Sequence, residues 1–397
     1  MSIKFPSTIL AVLAAVGMFL LVRAWARSNV AVIAALIGST MPAFVFAAQD
    51  GTPHIFAVFA SIWLLLAATY VARRKAPGLL WKMLLFSFFV LTLYTPLGIY
   101  LCLALLSAAI FHPHIRYVAR RLNPNRVVAS LIVGLLLVSP LLYSVVMQPQ
   151  IGLGLIGWPS SWPDWWPHTQ QFFGTLFGFG EQNDGILRPI IPIGIAMLML
   201  VGLYRLHKTR YTARSYVMLA WMLLLLPLTY LNPEYVPILL PSIVILIAMG
   251  MATLIIEWYR LFPLNPYARV FGLLPLSFIV AGIVLSSVSR YSISYISSPD
   301  LVKTFHTDLS LLDQTLNRAE ATTDNPIRVV VGEDNKAFYE LTAKYDGRYT
   351  ISLATPTEAP FVLIAGSGAD PAPNIIPSHI AVTSRSNEAN RIYLYKP

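Results

Sequence analysis

The chain has 397 residues, of which 56% are hydrophobic and only 12% charged, against roughly 45–50% and roughly 25% in an ordinary soluble domain. The apolar residues come in long blocks and the mean hydropathy is +0.65, which excludes a soluble fold of this size and indicates a multi-pass membrane protein. The single cysteine, Cys102, excludes a disulfide framework and a cysteine metal site, and the net charge of +10 has to be located before it is interpreted.

A helix needs about 20 apolar residues to cross about 30 Å of hydrocarbon. On that scale ten spans are predicted, at 5–23, 30–48, 55–72, 79–95, 97–112, 127–147, 189–206, 214–231, 235–257 and 268–288. The fourth and fifth form one apolar run broken at Thr95-Pro96-Leu97-Gly98. They are read as two helices because one straight helix would be about 50 Å long. A loop rich in Trp and Phe occupies 148–188. Beyond 288 the pattern changes to strand-like runs at 327–331, 348–353, 361–366, 379–382 and 391–395, with helical patterns at about 301–321 and 335–345. The expected fold class is therefore a polytopic α-helical membrane protein with a small C-terminal α/β domain, divided as 1–288 and 289–397. Gly366-Ser367-Gly368 follows a strand, but without the full glycine fingerprint it reads as a plain loop.

Lys and Arg alternate strongly between the two sets of connections. One set holds Arg23 and Arg27; Arg73, Arg74, Lys75 and Lys82; Arg116, Arg120, Arg121 and Arg126; Arg205, Lys208, Arg210 and Arg214; and Arg260 and Arg269. The other set holds only Lys4 and Arg188. The positive-inside rule makes the basic set cytoplasmic, so the N-terminus and the tail are expected on the outer side of the plasma membrane. Basic residues at a cytoplasmic face are attracted by anionic lipids, so the charge requires no nucleic acid. No Asp, Glu, Lys or Arg lies mid-span, which disfavours a channel or a proton-driven transporter.

The order of features resembles the GT-C glycosyltransferases, in particular the branch of protein O-mannosyltransferases and aminoarabinose transferases. The likeness rests on the basic turn VRAWARSN (22–29), Pro42 near the end of the next helix, and the short outer loop AAQDGTPH (47–54). It continues through the tight pair around LYTPLG (93–98), the aromatic loop 148–188 and the segment PEYVPILLPSIVILIAMGMATL (233–254). The resemblance implies an inverting enzyme that moves a sugar from a polyprenyl-phosphate carrier to an acceptor lipid, glycan or protein at the outer face. It assigns no cofactor and leaves a divalent cation open; no metal ligands are assigned. In the family a first helix and an acidic outer loop with the catalytic Asp come before the part matched here. The N-terminus expected here faces outward and no acidic loop precedes residue 30. A truncated sequence, a degenerate enzyme, or a partner chain supplying the loop are the three expectations.

Glycosyl transfer needs a carboxylate to take the acceptor proton and positive charge beside the departing lipid phosphate. On the expected outer side the carboxylates of the membrane portion are Asp50, Asp164, Glu181, Asp184 and Glu234, and the bases are His54, His168 and Arg188, with Lys4 remote. Asp50 and Glu234 are the catalytic candidates. Asp50 reads equally as a turn acid capping the next helix, and Glu234 as an acid favoured at a helix start. His54, Arg188, Tyr235, Trp165, Trp166 and His168 are the substrate-binding candidates. For the loop tryptophans the competing reading is an interfacial helix at headgroup depth, and for Arg188 a lipid-headgroup anchor. Two other functions stay open: a non-catalytic membrane subunit or pseudoenzyme that binds a lipid carrier or a partner protein, and a polysaccharide ligase or polymerase, for which Arg188 is thin support.

Overall fold

The computed structural model describes residues 5–49, 54–73, 79–121, 124–159, 162–177, 190–262, 264–297, 308–356, 359–365, 369, 375–382 and 391–396. By contacts the chain divides into two compact units between Ser289 and Arg290.

The first unit is helical: α1 (Phe5–Trp25), α2 (Ser28–Thr40), α3 (Pro42–Gln49), α4 (His54–Arg73), α5 (Leu79–Leu93), α6 (Gly98–Phe111) and α7 (Pro113–Arg120) are followed by α8 (Pro124–Met147), α9 (Pro149–Ile156) and α10 (Trp165–Phe177). Then come α11 (Ile193–Lys208), α12 (Ala213–Leu231), a 3₁₀ turn (Pro233–Leu239), α13 (Leu240–Leu261) and α14 (Pro266–Ser297), of which the residues from Arg290 on count with the second unit. Six of the described helices are long and apolar enough to span a bilayer, or up to eight spans if each bent pair counts as one. The protein is a multi-pass membrane protein, but the expected count of ten is not reached on this measure. The expected spans 79–95 and 189–206 are the short ones: α5 has 15 residues and α11 has 16. Leu97 in the left-handed region and Gly98 close α5 off, and Pro192 sits at the N-cap of α11.

The bent pairs follow from proline. α2 and α3 meet at 61° and α6 and α7 at 87°, each beside a proline that lacks a backbone donor and ends the preceding helix. In the first pair the Thr40 hydroxyl donates to the Leu36 and Ile37 carbonyls at 2.9 and 3.1 Å, satisfying the frayed end. At the α5–α6 corner a Cβ on Gly98 would stand 2.0 Å from the Thr92 carbonyl oxygen, so only glycine fits.

α13 is the axis of the unit. Every residue from Leu240 to Met251 is buried, against α11, α2, the 3₁₀ turn, α1 and α4. α11 and α13 touch backbone to backbone. A Cβ on Gly250 would lie 2.1 Å from the Leu198 carbonyl oxygen, and one on Gly202 would lie 2.0 Å from that of Leu246. Small residues permit this approach where lipid offers no hydrophobic drive for helices to associate.

The second unit contains α15 (Asp308–Arg318), β1 (Ile327–Val330), α16 (Lys336–Asp346), β2 (Tyr349–Ser352), β3 (Phe361–Ile364), β4 (His379–Val382) and β5 (Arg391–Tyr395). All five strands and both helices lie within or near the expected segments. The sheet order is β2-β1-β3-β5-β4, with β1 parallel to β2 and β3, and β5 antiparallel to β3 and β4. β3 is buried along its whole length. Val362 and Ile364 join Leu312, Leu316 and Tyr339 in one cluster, while Phe361 stacks on Tyr395 on the other face, so the central strand of this mixed sheet is covered on both faces. Gly366, Ser367 and Gly368 lie outside the described residues.

Candidate functional site

The helical unit has two chemically different ends. α1, α4 and α11 finish, and α12 starts, among Arg23, Arg73, Arg205 and Arg214. The α5–α6 corner, α9, α10 and the end of α12 with its 3₁₀ turn meet at the other end, which carries the described candidates Trp165, Trp166, His168 and Tyr235.

Three hydrogen bonds tie that end together. Leu97 N–H donates to the Leu155 carbonyl at 2.8 Å, the Tyr100 hydroxyl to the Ile156 carbonyl at 2.9 Å, and the Asn232 amide to the Gly157 carbonyl at 2.8 Å. Each satisfies a backbone group left over where a helix ends. α10 then docks on the last turn of α12. His168 Nε2 donates to the Tyr230 carbonyl at 2.5 Å, so the neutral ring has its proton on Nε2 and only a lone pair on Nδ1. The Tyr230 hydroxyl sits 2.6 Å from that of Thr169. Around Tyr230 the Trp165 ring is stacked at 6.1 Å, and the His168 and Phe172 rings approach edge-on at 5.0 and 5.2 Å. Phe172 and Leu176 are buried, whereas Trp158, Trp162, Trp165 and Trp166 are each at least 61% exposed. α10 thus seats one face on the bundle and turns its indoles outward, an arrangement suited to the headgroup zone.

The candidates fall as follows. Trp165 and His168 meet at Tyr230, and Trp166, exposed on the same helix, does not join them. His54 opens α4, half-buried. Tyr235 is half-buried in the 3₁₀ turn and packed against the main core. That turn packs on α3, α4 and α12, so the segments carrying His54 and Tyr235 belong to one neighbourhood. Glu234 holds the second position of the turn, immediately before α13; its side chain lies outside the described residues, as do Asp50, Glu181, Asp184, Arg188 and Lys4. Asp164, exposed, accepts the His168 N–H through its carbonyl at the start of α10. Among the described residues no group of three His, Cys, Asp or Glu side chains could hold a metal ion.

Sequence reasoning missed Tyr230, Thr169 and Asn232, the residues that fix the aromatic loop. The signal available was polar groups in the last turn of an apolar helix, followed by Asn-Pro.

No protein-family model and no curated protein matches the sequence. Among solved structures the chain is similar to ArnT from Cupriavidus metallidurans bound to undecaprenyl phosphate. The TM-score is 0.52 and the identity 14%, over 99% of this chain and 83% of that one. It is also similar to the Archaeoglobus fulgidus oligosaccharyltransferase in complex with Zn and sulfate, with TM-score 0.50 and identity 14% over 90% of this chain and 51% of that one. The chain has the GT-C fold.

Proposed function

We propose that this GT-C-fold protein is a glycosyltransferase of the plasma membrane, moving a sugar from polyprenyl phosphate to an acceptor hydroxyl at the end of the bundle opposite the basic loops. The observation that carries the reading is the similarity, over almost the whole chain, to a structure bound to undecaprenyl phosphate. The outer side is assigned by the basic loops, whose Lys and Arg belong in the cytoplasm, and the tail beyond about residue 289 shares the outer side.

In this reading the acceptor oxygen attacks the anomeric carbon from the face opposite the phosphate. The sugar–phosphate C–O bond breaks, polyprenyl phosphate leaves, and a carboxylate takes the acceptor proton. Glu234, at the entry to α13, and Asp50, between α3 and α4, are the carboxylates proposed for proton removal or for binding sugar hydroxyls. Arg188 and His54 supply positive charge toward the leaving phosphate. His168 contributes to that charge only as imidazolium, since its neutral form spends Nε2–H on Tyr230. Tyr235, Trp165 and Trp166 offer aromatic faces to sugar or prenyl chain.

The test is transfer of labelled sugar from polyprenyl phosphate by the full chain in proteoliposomes, with Glu234→Gln and Asp50→Asn. Loss of a catalytic carboxylate lowers the rate by about 10²-fold or more. Unchanged rates in both variants remove these two residues from the site. Carrier binding without any turnover by the wild type replaces the enzyme with a non-catalytic carrier-binding subunit.

A further inference from the structure

The basic end of the helical unit contains two adjoining cavities of about 430 and 260 Å³, the larger within the usual size of ligand sites. Trp25 and Arg214 line both. The larger adds Thr69, Arg73, His114 and Thr212 as its polar groups, over an apolar wall of Leu65, Leu105, Ile115 and Val217. The smaller adds Arg27 and Arg205, above Met249 and Ile256.

Arg214 is the centre of this arrangement. It is half-buried at the start of α12 and donates through Nη1 to the Trp25 carbonyl at 2.6 Å, closing the C-terminus of α1. The Trp25 indole N–H is held in turn by the Thr69 hydroxyl at 2.9 Å. A guanidinium has five N–H donors, and the Trp25 carbonyl uses only one of the five groups. Arg73 and Arg205 lie close enough to repel Arg214. Among the described residues none of Arg27, Arg73, Arg205 and Arg214 pairs with a carboxylate, and the one acid of the basic connections, Glu257, faces Arg260 at 3.8 Å. Arg205 and Arg214 are half-buried beside the exposed Arg27 and Arg73, and a cluster of like charges partly withdrawn from water is costly without a counter-anion. α7 supplies an independent observation: it leaves α6 at 87°, has no buried residue, and carries Arg116 and Arg120 beside Ile115 and Val118. A short amphipathic basic helix of this kind lies in the plane of the headgroups, and its His114 and Ile115 line the larger cavity.

We propose that these cavities bind the phosphate headgroup of an anionic phospholipid from the leaflet at the basic end, with Arg73 and Arg214 on the phosphate and an acyl chain along the Leu65–Leu105–Val217 wall. Arginine suits the role because its planar fork meets phosphate oxygens bidentately, and basic pockets between transmembrane helices are favourable headgroup sites. This site is separate from the carrier site proposed above and does not depend on it.

The experiment is native mass spectrometry of the full chain with phosphatidylglycerol or phosphatidylcholine, together with thermal-shift assays in the same lipids and in inorganic phosphate. The expected result is retention and stabilisation by phosphatidylglycerol over phosphatidylcholine, weakened about fivefold by each of Arg73→Gln and Arg214→Gln. Arg73 is exposed, so its variant folds even if losing the Arg214–Trp25 bond disturbs the other. Equal retention of phosphatidylglycerol by the wild type and Arg73→Gln overturns the proposal. Stabilisation by inorganic phosphate with no preference between the two lipids overturns the lipid assignment.

Discussion

α13 and α14 are both apolar helices long enough to cross a bilayer, yet in an apolar 18-residue stretch of the span 235–261 that contains α13 83% is buried inside the protein, against 11% in that of 270–293 in α14. α8 resembles α14, also at 11%. Apolar side chains are equally at home against lipid and against protein, so composition reports insertion and not packing. What separates the helices is backbone access. Gly250 of α13 lies against the Leu198 carbonyl, whereas nothing stands within 4 Å of a Cβ placed on Gly282 of α14.

That contrast gives the largest expected effect. Gly250→Leu forces α11 and α13 apart and costs more than about 3 kcal/mol, read as loss of monodisperse protein after detergent extraction and mild heating. Gly282→Leu, chemically identical but facing outward, stays within about 0.5 kcal/mol of the wild type. Equal behaviour of the two variants breaks the comparison. A smaller effect is expected where a helix end, and not a helix face, is held. Asn232→Ala leaves the Gly157 carbonyl without its 2.8 Å donor and costs about 1 kcal/mol, with faster proteolysis of the 148–177 segment as the local readout.

The smallest effect belongs to the C-terminal unit, whose polar contacts face water. Arg348 donates to Asp346 at 2.5 and 2.9 Å and to Asp313 at 2.6 Å. The guanidinium beside it holds the Asp346 carboxyl below its ordinary value. A carboxyl lowered on folding stabilises the folded state above its unfolded pKa, about 3.9, and that stability is lost as pH falls through the lower folded value. Both side chains are partly exposed, at 24% and 28%, which limits the contribution to about 1 kcal/mol or less. Protection factors of the β2 amides in the full chain, each taken relative to the intrinsic exchange rate at that pH, should fall on going from pH 6 to about pH 3 in the wild type, and less so in Arg348→Gln.

The sequence was most readable where an element's own periodicity decides it. Strands such as FVLI and RIYLY sit within a residue or two of their expected limits because β-branched and aromatic runs end at turn residues. The apolar blocks also became helices. Span count was less legible, because the Pro42, Pro113 and Pro192 corners divide or shorten apolar runs in ways that hydropathy averages out, whereas the break at Thr95-Pro96-Leu97-Gly98 was readable. At the candidate site, the residue types that could serve chemistry were readable, but the docking of α10 on Tyr230 was not. It depends on a side chain from α10 meeting a main-chain carbonyl of α12, 62 positions away, which no local pattern encodes. Arg214 was legible as a topology signal only; its bond to the Trp25 carbonyl, 189 positions away, is what makes it part of a cavity.

Both the carrier site and the headgroup cavity depend on the two ends of the helical unit facing opposite sides of the membrane. The most direct measurement is labelling by an impermeant maleimide of single cysteines placed at the exposed positions Asp164 and Arg210, with the native Cys102 buried at 2% exposure as a quiet background. In sealed right-side-out vesicles Asp164→Cys should react at once and Arg210→Cys only after permeabilisation. Reaction of both from the same side, or the reverse order, would contradict the account.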